Sequence, residues 1–357
     1  ARFTINAATG VLTFVTAPNF ELPSDSNADN VYLVTVRATD PLGLFDAQDL
    51  SVTVTNANDA PVITSNGGGA TGAIAVPENT TAVTTVTATD ADVGQTLTFS
   101  ISGGLDAARF SISGTTGVLI FVTPPNFELP TDSNGDNVYV VTVQVSDGNG
   151  GTATQTLSVT VTNVNEPPVI TSNGGGDTAA VSVAENTTAV TTVTATDPDA
   201  GNTVTFSING GADAARFAIN SSTGALTFVT APNFEAPTDA NLDNVYVVIV
   251  RATDNLGLFD AQTLNVTITN ANEPPVITSN GGGAAAAVSV AENTTAVTTV
   301  TATDPDAGQT LAFSISGGAD AARFSINATT GVLVFVTAPN FEVPTDQNGD
   351  NVYVVNV

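Results

Sequence analysis

The sequence has no cysteine, histidine, lysine or tryptophan. Without cysteine there is no disulfide to staple a fold. Without histidine, lysine or cysteine the usual general bases and nucleophiles are missing. Paired carboxylates alone can hydrolyse glycosides, but here they recur at every unit boundary, as structural ligands would. The expectation is that this is not an enzyme. Cations are scarce: the only ones are Arg2, Arg37, Arg109, Arg216, Arg251 and Arg323, and the net charge is −28. Nucleic acid and anionic membranes need Lys and Arg to neutralise phosphate, so neither is an expected partner. No hydrophobic run reaches membrane-spanning length, so no membrane insertion is expected here. There is also no initiator methionine. The sequence reads as a fragment of a longer repetitive protein, with export and anchoring signals expected outside it.

What the chain does contain is itself, repeated. Phe3, Phe110, Phe217 and Phe324 stand 107 residues apart, and so do Tyr32, Tyr139, Tyr246 and Tyr353, which are the only tyrosines. Solenoid repeats usually run roughly 20–50 residues, so this period implies whole domains in tandem. Expected boundaries give a partial repeat over 1–60, complete repeats over 61–167 and 168–274, and a second partial repeat over 275–357. Pro167-Pro168 and Pro274-Pro275 mark two of the junctions and stiffen them.

Within 168–274, seven short runs alternate apolar and polar residues. They are Val181 to Val183, Ala189 to Thr196, Val204 to Ile208, Phe217 to Ile219, Ala225 to Val229, Val245 to Ala252 and Leu264 to Thr269. Gly, Asn, Asp and Pro separate them. The fold class expected is all-β, with an antiparallel β-sandwich of seven short strands in each repeat. Asp213-Ala-Ala-Arg216 reads as one helical turn with Asp213 as its N-cap. Asp106 and Asp320 repeat the arrangement. Asn173-Gly-Gly-Gly176 reads as a flexible loop; no lysine or helix follows it, which excludes a phosphate cradle.

The acids fall at fixed places. A Glu-Asn-Thr-Thr opens each repeat at Glu78, Glu185 and Glu292. Thr-Asp-Xaa-Asp follows at Asp90 and Asp92, Asp197 and Asp199, and Asp304 and Asp306. Asn-Phe-Glu supplies Glu21, Glu128, Glu235 and Glu342. Strands then end on Asp40, Asp147 or Asp254, and the boundaries read Asn56-Ala-Asn-Asp59, Asn163-Val-Asn-Glu166 and Asn270-Ala-Asn-Glu273. Strand ends of a sandwich meet at its poles, so several acids must crowd one pole beside each boundary. Carboxylates and amide oxygens without His or Cys suit Ca2+ and not zinc. Asp132-Ser-Asn-Gly-Asp136 looks like the opening of an EF-hand loop, but Val143 stands where the closing Glu would be. An Asx-rich turn and an extra ion site both remain open for it.

On Ala184-Glu185-Asn186, Val193-Thr-Ala-Thr-Asp-Pro-Asp199, Phe217 to Leu226, Asn233-Phe-Glu235, Ala252-Thr-Asp254 and Asn270 to Pro275, the chain resembles the cadherin repeat in the form common in large bacterial surface proteins. The resemblance implies tandem seven-strand Greek-key, immunoglobulin-like β-sandwiches with Ca2+ held between successive domains. Carried over residue by residue, the first junction would use Glu21, Asn56, Asn58, Asp59, Asp90, Asp92 and Asp147. The middle junction would use Glu78, Glu128, Asn163, Asn165, Glu166, Asp197, Asp199 and Asp254. The third would use Glu185, Glu235, Asn270, Asn272, Glu273, Asp304 and Asp306. The sequence departs from the family where Asn56, Asn163 and Asn270 replace an acid and where Pro-Asn-Phe-Glu replaces Leu-Asp-Arg-Glu. The acids that remain balance about two or three Ca2+ per junction. The resemblance implies an extracellular, calcium-rigidified repeat rod, the stalk of a bacterial surface adhesin or biofilm protein. Its partners would be calcium and either copies of itself or a cell-surface or matrix ligand. The alternative is a self-assembling extracellular filament. A carbohydrate-binding module finds less support, since only one tyrosine per repeat is available to stack on sugar.

Overall fold

A computed structural model describes residues 1–357, in two compact units, Ala1–Asn165 and Glu166–Val357. Both are all-β apart from single turns of 3-10 helix. No helix is long and apolar enough to cross a membrane.

The first unit contains one complete sandwich. A four-stranded sheet runs in the order Thr71–Pro77, Thr152–Thr162, Val138–Ser146, Thr98–Gly103. A three-stranded sheet of Phe110–Ile112, Val118–Phe121 and Ala82–Thr85 faces it. The alternation seen in sequence sets the core. Tyr139, Val141, Val143 and Val145 on one strand and Leu157, Val159 and Val161 on its neighbour are all buried. Successive side chains point to opposite faces, so every second residue of each strand lands inside. Phe110, Phe121 and Tyr139 form an aromatic trio with ring centroids 4.6 and 5.1 Å apart. Each such ring is worth about 1.5–3 kcal/mol of apolar burial.

The second unit repeats this design with Thr178–Ala184, Phe259–Thr269, Val245–Thr253 and Thr205–Gly210 in one sheet. Ala189–Thr192, Ala225–Phe228 and Phe217–Ile219 form the other. Residues 1–53 and 276–335 carry the matching strands of partial repeats, within the first and second unit respectively.

The structure departs from the sequence expectation in four ways. The run Ala189 to Thr196 is two strands in two sheets, Ala189–Thr192 and Ala195–Thr196. Between them Val193 is fully buried and donates its N–H to the Gly224 carbonyl at 2.8 Å. Gly224 allows this approach: its φ is +71°, and a Cβ there would sit 2.0 Å from the Val193 carbonyl oxygen. The strand Val169–Ile170, which pairs with Ala195–Thr196, was not expected, because two residues are too few to show alternation. Asp213 does not cap its helix. Its carboxylate accepts instead from Ala240 N at 2.7 Å and Val247 N at 2.8 Å. Finally, the Asn173 loop is pinned, not flexible: fully buried Gln262 donates to the Gly176 carbonyl at 3.0 Å, and Asn173 Oδ1 accepts from Thr191.

One pairing positions the acids. The opening strand runs parallel to the closing one, with Pro77 opposite Thr162 and Ala184 opposite Thr269. Parallel partners finish at the same pole. The glutamate that follows the first strand therefore lies beside the boundary segment that follows the last.

Candidate metal centre

Glu78 and Glu185 are each only 1% exposed. Glu78 donates its N–H to the Thr162 carbonyl, continuing the parallel ladder by one residue. Its carboxylate accepts from Phe127 N and from Val164 N, both at 2.8 Å. Glu185 does the same with Phe234 N at 2.8 Å and Ala271 N at 2.9 Å. Glu292 keeps the first of these bonds, from Phe341 N at 2.9 Å. One buried carboxylate thus ties the Asn-Phe-Glu loop to the boundary. A carboxylate oxygen has two lone-pair sites, so accepting one N–H leaves each oxygen able to bind further.

In the second unit, Glu185, Glu235 and Glu273 converge. Each offers a carboxylate oxygen, and these lie within 4.8 Å of one another. Burial pushes the Glu273 carboxyl above its ordinary value. The charges of Glu185, Glu235 and Asp306 add to this, against a lowering hydrogen bond from Asn186. Glu273 N donates to Asp306 Oδ2 at 2.9 Å, and Asp304 Oδ1 accepts from Asp306 N at 3.0 Å. Asn270 Nδ2 reaches Glu235 Oε1 at 2.9 Å, and Asn272 Oδ1 accepts from Gln309 Nε2 at 2.7 Å. All seven residues expected at the third junction are thus linked in one network.

The first unit shows the other side of the same design. Asp92 Oδ1 accepts from Asn56 Nδ2 at 2.6 Å and Oδ2 from Asp59 N at 2.8 Å. Asp90 Oδ1 accepts from Asp92 N at 2.9 Å. Asp147 Oδ2 accepts from Asn58 Nδ2 at 2.7 Å, and Oδ1 from Asn149 N and Gly151 N. The Asn58 amide lowers the Asp147 pKa most, and the backbone N–H groups of Asn149, Gly151 and Gly150 add to it against burial. Glu21 Oε1 is buried without a hydrogen-bond partner.

The residues expected at the middle junction divide between the units. Glu78, Glu128, Asn163 and Asn165 lie in the first. Glu166, Asp197, Asp199 and Asp254 lie in the second. Within the second unit, Asp199 Oδ2 accepts from Glu166 N at 2.8 Å, and Asp197 Oδ1 from Asp199 N at 3.0 Å. Asp254 Oδ1 accepts from the hairpin amides of Leu256 and Leu258.

The donor set fits calcium. All of the gathered side chains offer oxygen, and hard cations such as Ca2+ take six to eight oxygens in loose geometry. Several of these oxygens are buried with no hydrogen-bond partner: Glu273 Oε2, Asp90 Oδ2, Asp197 Oδ2 and Glu21 Oε1. A buried carboxylate oxygen left without a partner is costly, and a cation among these atoms would remove that cost. Sequence reasoning missed the amide partners Asn186, Gln95 and Gln309. Asn186 Nδ2 donates to Glu273 Oε1, and Gln95 Nε2 to Asn58 Oδ1 at 2.7 Å. The only signal was the recurrence of Asn after each Glu of the opening motif.

The turn Asp132 to Asp136 resolves as an Asx-rich turn. Asp132 Oδ2 accepts from Asp136 N at 2.9 Å, Oδ1 from Asn137 N at 3.2 Å, and Asp136 Oδ1 from Val138 N at 2.9 Å. These bonds all lie within the turn itself and reach no repeat boundary.

Comparison with known proteins matches residues 73–162 and 179–269 to the cadherin domain. Human Protocadherin Fat 1 is 32% identical over 196 residues, covering 52% of this chain and only 4% of that protein. The Protocadherin GammaB4 extracellular domain superposes with a TM-score of 0.50 at 25% identity, over 95% of this chain and 54% of that one. Mouse cadherin-23 EC22-24 gives 0.46 at 22% identity, over 80% and 90%. The two matched segments account for about half of the sequence and coincide with the two complete sandwiches, and the chain belongs to the cadherin domain family.

Proposed function

We propose that this chain is a stretch of an extracellular rod whose repeats are locked end to end by Ca2+, and that it serves as the stalk of a surface adhesin. The observation that carries this reading is the convergence of Glu185, Glu235 and Glu273 oxygens within 4.8 Å at a repeat boundary. Like charges this close repel one another unless a cation lies among them. With repeat boundaries read from the sequence at 60/61, 167/168 and 274/275, an equivalent set of acids would fall at each junction. The first junction would take the ion with Glu21, Asn56, Asn58, Asp59, Asp90, Asp92 and Asp147, and the third with Glu185, Glu235, Asn270, Asn272, Glu273, Asp304 and Asp306. The middle junction would use the equivalent set from Glu78 to Asp254.

Bound calcium supplies a divalent charge that several carboxylates share. The chain's own residues do the rest. The buried opening glutamates fix the Asn-Phe-Glu loop, and Asp92, Asp199 and Asp306 orient the boundary backbone through its N–H groups. A bacterial surface setting rests on the sequence resemblance and on the near-identity of the repeats, which suits a spacer better than a receptor face; the relatives matched above are animal proteins.

Calorimetric titration of the chelator-stripped chain with CaCl2 at pH 7 tests the reading. Saturable binding of several ions per chain is the expected result. Absence of binding at millimolar calcium, the weak end of extracellular calcium modules, would remove the basis of the proposal.

A further inference from the structure

The chain holds seven Asn-Gly pairs, beginning at Asn66, Asn134, Asn149, Asn173, Asn209, Asn280 and Asn348. Asparagine is thermolabile, most of all before glycine, which has no Cβ to keep its own backbone nitrogen away from the asparagine side-chain carbonyl. Reaction requires those two groups to be brought together, so a side chain or backbone held elsewhere reacts slowly. Six of the seven are held. Asn66 donates to Gln155 Oε1 and accepts from Thr84 Oγ1, and Asn173 does the same with Gln262 and Thr191. Asn280 accepts from Thr298 Oγ1 at 2.9 Å. Asn134 and Asn348 donate to the carboxylates of Asp136 and Asp350, both at 2.8 Å. Asn209 is held through its backbone, in the strand Thr205–Gly210, where Gly210 pairs with Ile249.

Asn149 is not held. It lies at the exposed tip of the hairpin between the strands Val138–Ser146 and Thr152–Thr162. Its backbone N–H donates to Asp147 Oδ1 at 2.7 Å, and its side chain makes no hydrogen bond. Gly148 and Gly150 flank it, and no atom lies within 4 Å of where a Cβ would stand on either. There is room for the side chain to fold back onto the next peptide. The matching positions in the neighbouring repeats are Leu42 and Leu256. Both make the same backbone bond to their aspartate, at 2.9 Å. The turn therefore does not require an asparagine.

We infer that Asn149 is a self-modification site, the place where this chain ages first. The Gly150 backbone nitrogen attacks the Asn149 side-chain carbonyl carbon. The side-chain nitrogen leaves as ammonia, taking the Gly150 proton, and a five-membered succinimide closes. Water then opens the ring at either carbonyl. One opening gives aspartate at 149. The other gives isoaspartate, in which the backbone runs through the former side chain and is one carbon longer. The only co-reactant is water. The change reaches Asp147, whose Oδ1 is held by the amides of Asn149 and Gly151 at 2.7 and 3.0 Å and whose Oδ2 is held by Asn58 Nδ2 at 2.7 Å. An extra carbon between those two amides moves one against the other and loosens the aspartate from Asn58. The inference does not depend on where calcium binds.

Peptide mapping by mass spectrometry reads all seven sites at once, on intact chain held for weeks at neutral pH and body temperature and digested only at the end. Asn149 is expected to lose its amide nitrogen at least about tenfold faster than each of the other six, and to give both aspartate and isoaspartate. In urea, where nothing holds the side chains, the seven rates are expected to converge. Asn149→Leu installs the residue of the neighbouring repeats, so folding is preserved. It is expected to remove this modification and leave the other six rates unchanged. In nitrogen-15 NMR spectra, the Asn58 side-chain amide signal is expected to shift in the aged chain and to stay in place in aged Asn149→Leu. Another Asn-Gly pair reacting as fast as Asn149 would overturn the inference, and so would a lead of Asn149 that persists in urea. An Asn58 signal that does not change with ageing would overturn the link to Asp147.

Discussion

Replacing Asp92, Asp199 and Asp306 by alanine together is expected to abolish most calcium binding, while Asp132→Ala leaves the number of ions unchanged. The three aspartates occupy the same place in successive repeats, and each accepts a boundary N–H: from Asp59, Glu166 and Glu273 respectively. Removing them withdraws a charge and also frees the boundary backbone on which the neighbouring acids are mounted. Asp132 is also buried, but its carboxylate bonds only within one turn, to Asp136 N and Asn137 N, and orients no boundary backbone. Its loss should lower thermal stability by an amount usual for a lost cap, about 0.5–2 kcal/mol, without touching the ions. Calorimetry with direct counting of sites separates the two. Equal loss of sites from both variants would show that the ligands have been misassigned.

The second large effect is on pH, and its sign differs between the ion-free and the calcium-loaded chain. Without calcium, burial and then the charges of Glu185, Glu235 and Asp306 hold the Glu273 carboxyl above 4.5. A carboxyl whose folded pKa is raised costs stability when ionised. That cost is present at neutral pH and is relieved as pH falls through the raised value. Asp147 and Asp132 behave in the opposite way. The Asn58 amide and local N–H groups hold Asp147 below 3.8, and the Asp136, Asn137 and Gly135 amides outweigh burial to do so for Asp132. The stability they add is complete above 3.8 and is lost only as pH falls through their lower folded values. As pH falls toward that raised value, the Glu273 cluster of the ion-free chain should gain slightly in stability, while the contribution of Asp147 and Asp132 is kept down to 3.8.

With calcium bound, the same cluster must be ionised, so protons compete with the metal. Calcium affinity should fall between pH 7 and 5, by up to about tenfold per pH unit for each proton taken up. Thermal melts at pH 7, 6 and 5, with calcium and with chelator, would show the calcium-dependent increment shrinking while the chelator curves do not fall. A calcium increment that does not change with pH would mean that no carboxylate of raised pKa takes part.

How much of this could be read from the sequence depended on range. Strands such as Val138–Ser146 were legible because alternation is local: each residue declares its face by its own chemistry. The sheet switch at Val193 was not, because it depends on a glycine at position 224 lying against it. Asp213 looked like a helix cap on spacing alone, yet its partners Ala240 and Val247 lie 27 and 34 residues on. The acids of the candidate site were legible by recurrence. What was hidden is which side chains share them. Asn58 meets Asp147 across 89 residues of sequence, and Asn186 meets Glu273 across 87. The parallel pairing that carries Glu78 and Glu185 to the boundary was also hidden, since strand direction leaves no mark on a seven-residue run.

The central claim is that calcium fixes successive repeats against one another. Small-angle X-ray scattering of the intact chain at low salt, first with 2 mM calcium (about the extracellular level) and then after excess chelator, tests it most directly. The account predicts the profile of a stiff, extended particle with calcium and a broad distribution of shorter end-to-end distances without it, while circular dichroism shows that the β-sandwiches stay folded. Identical scattering profiles in the two conditions would contradict it.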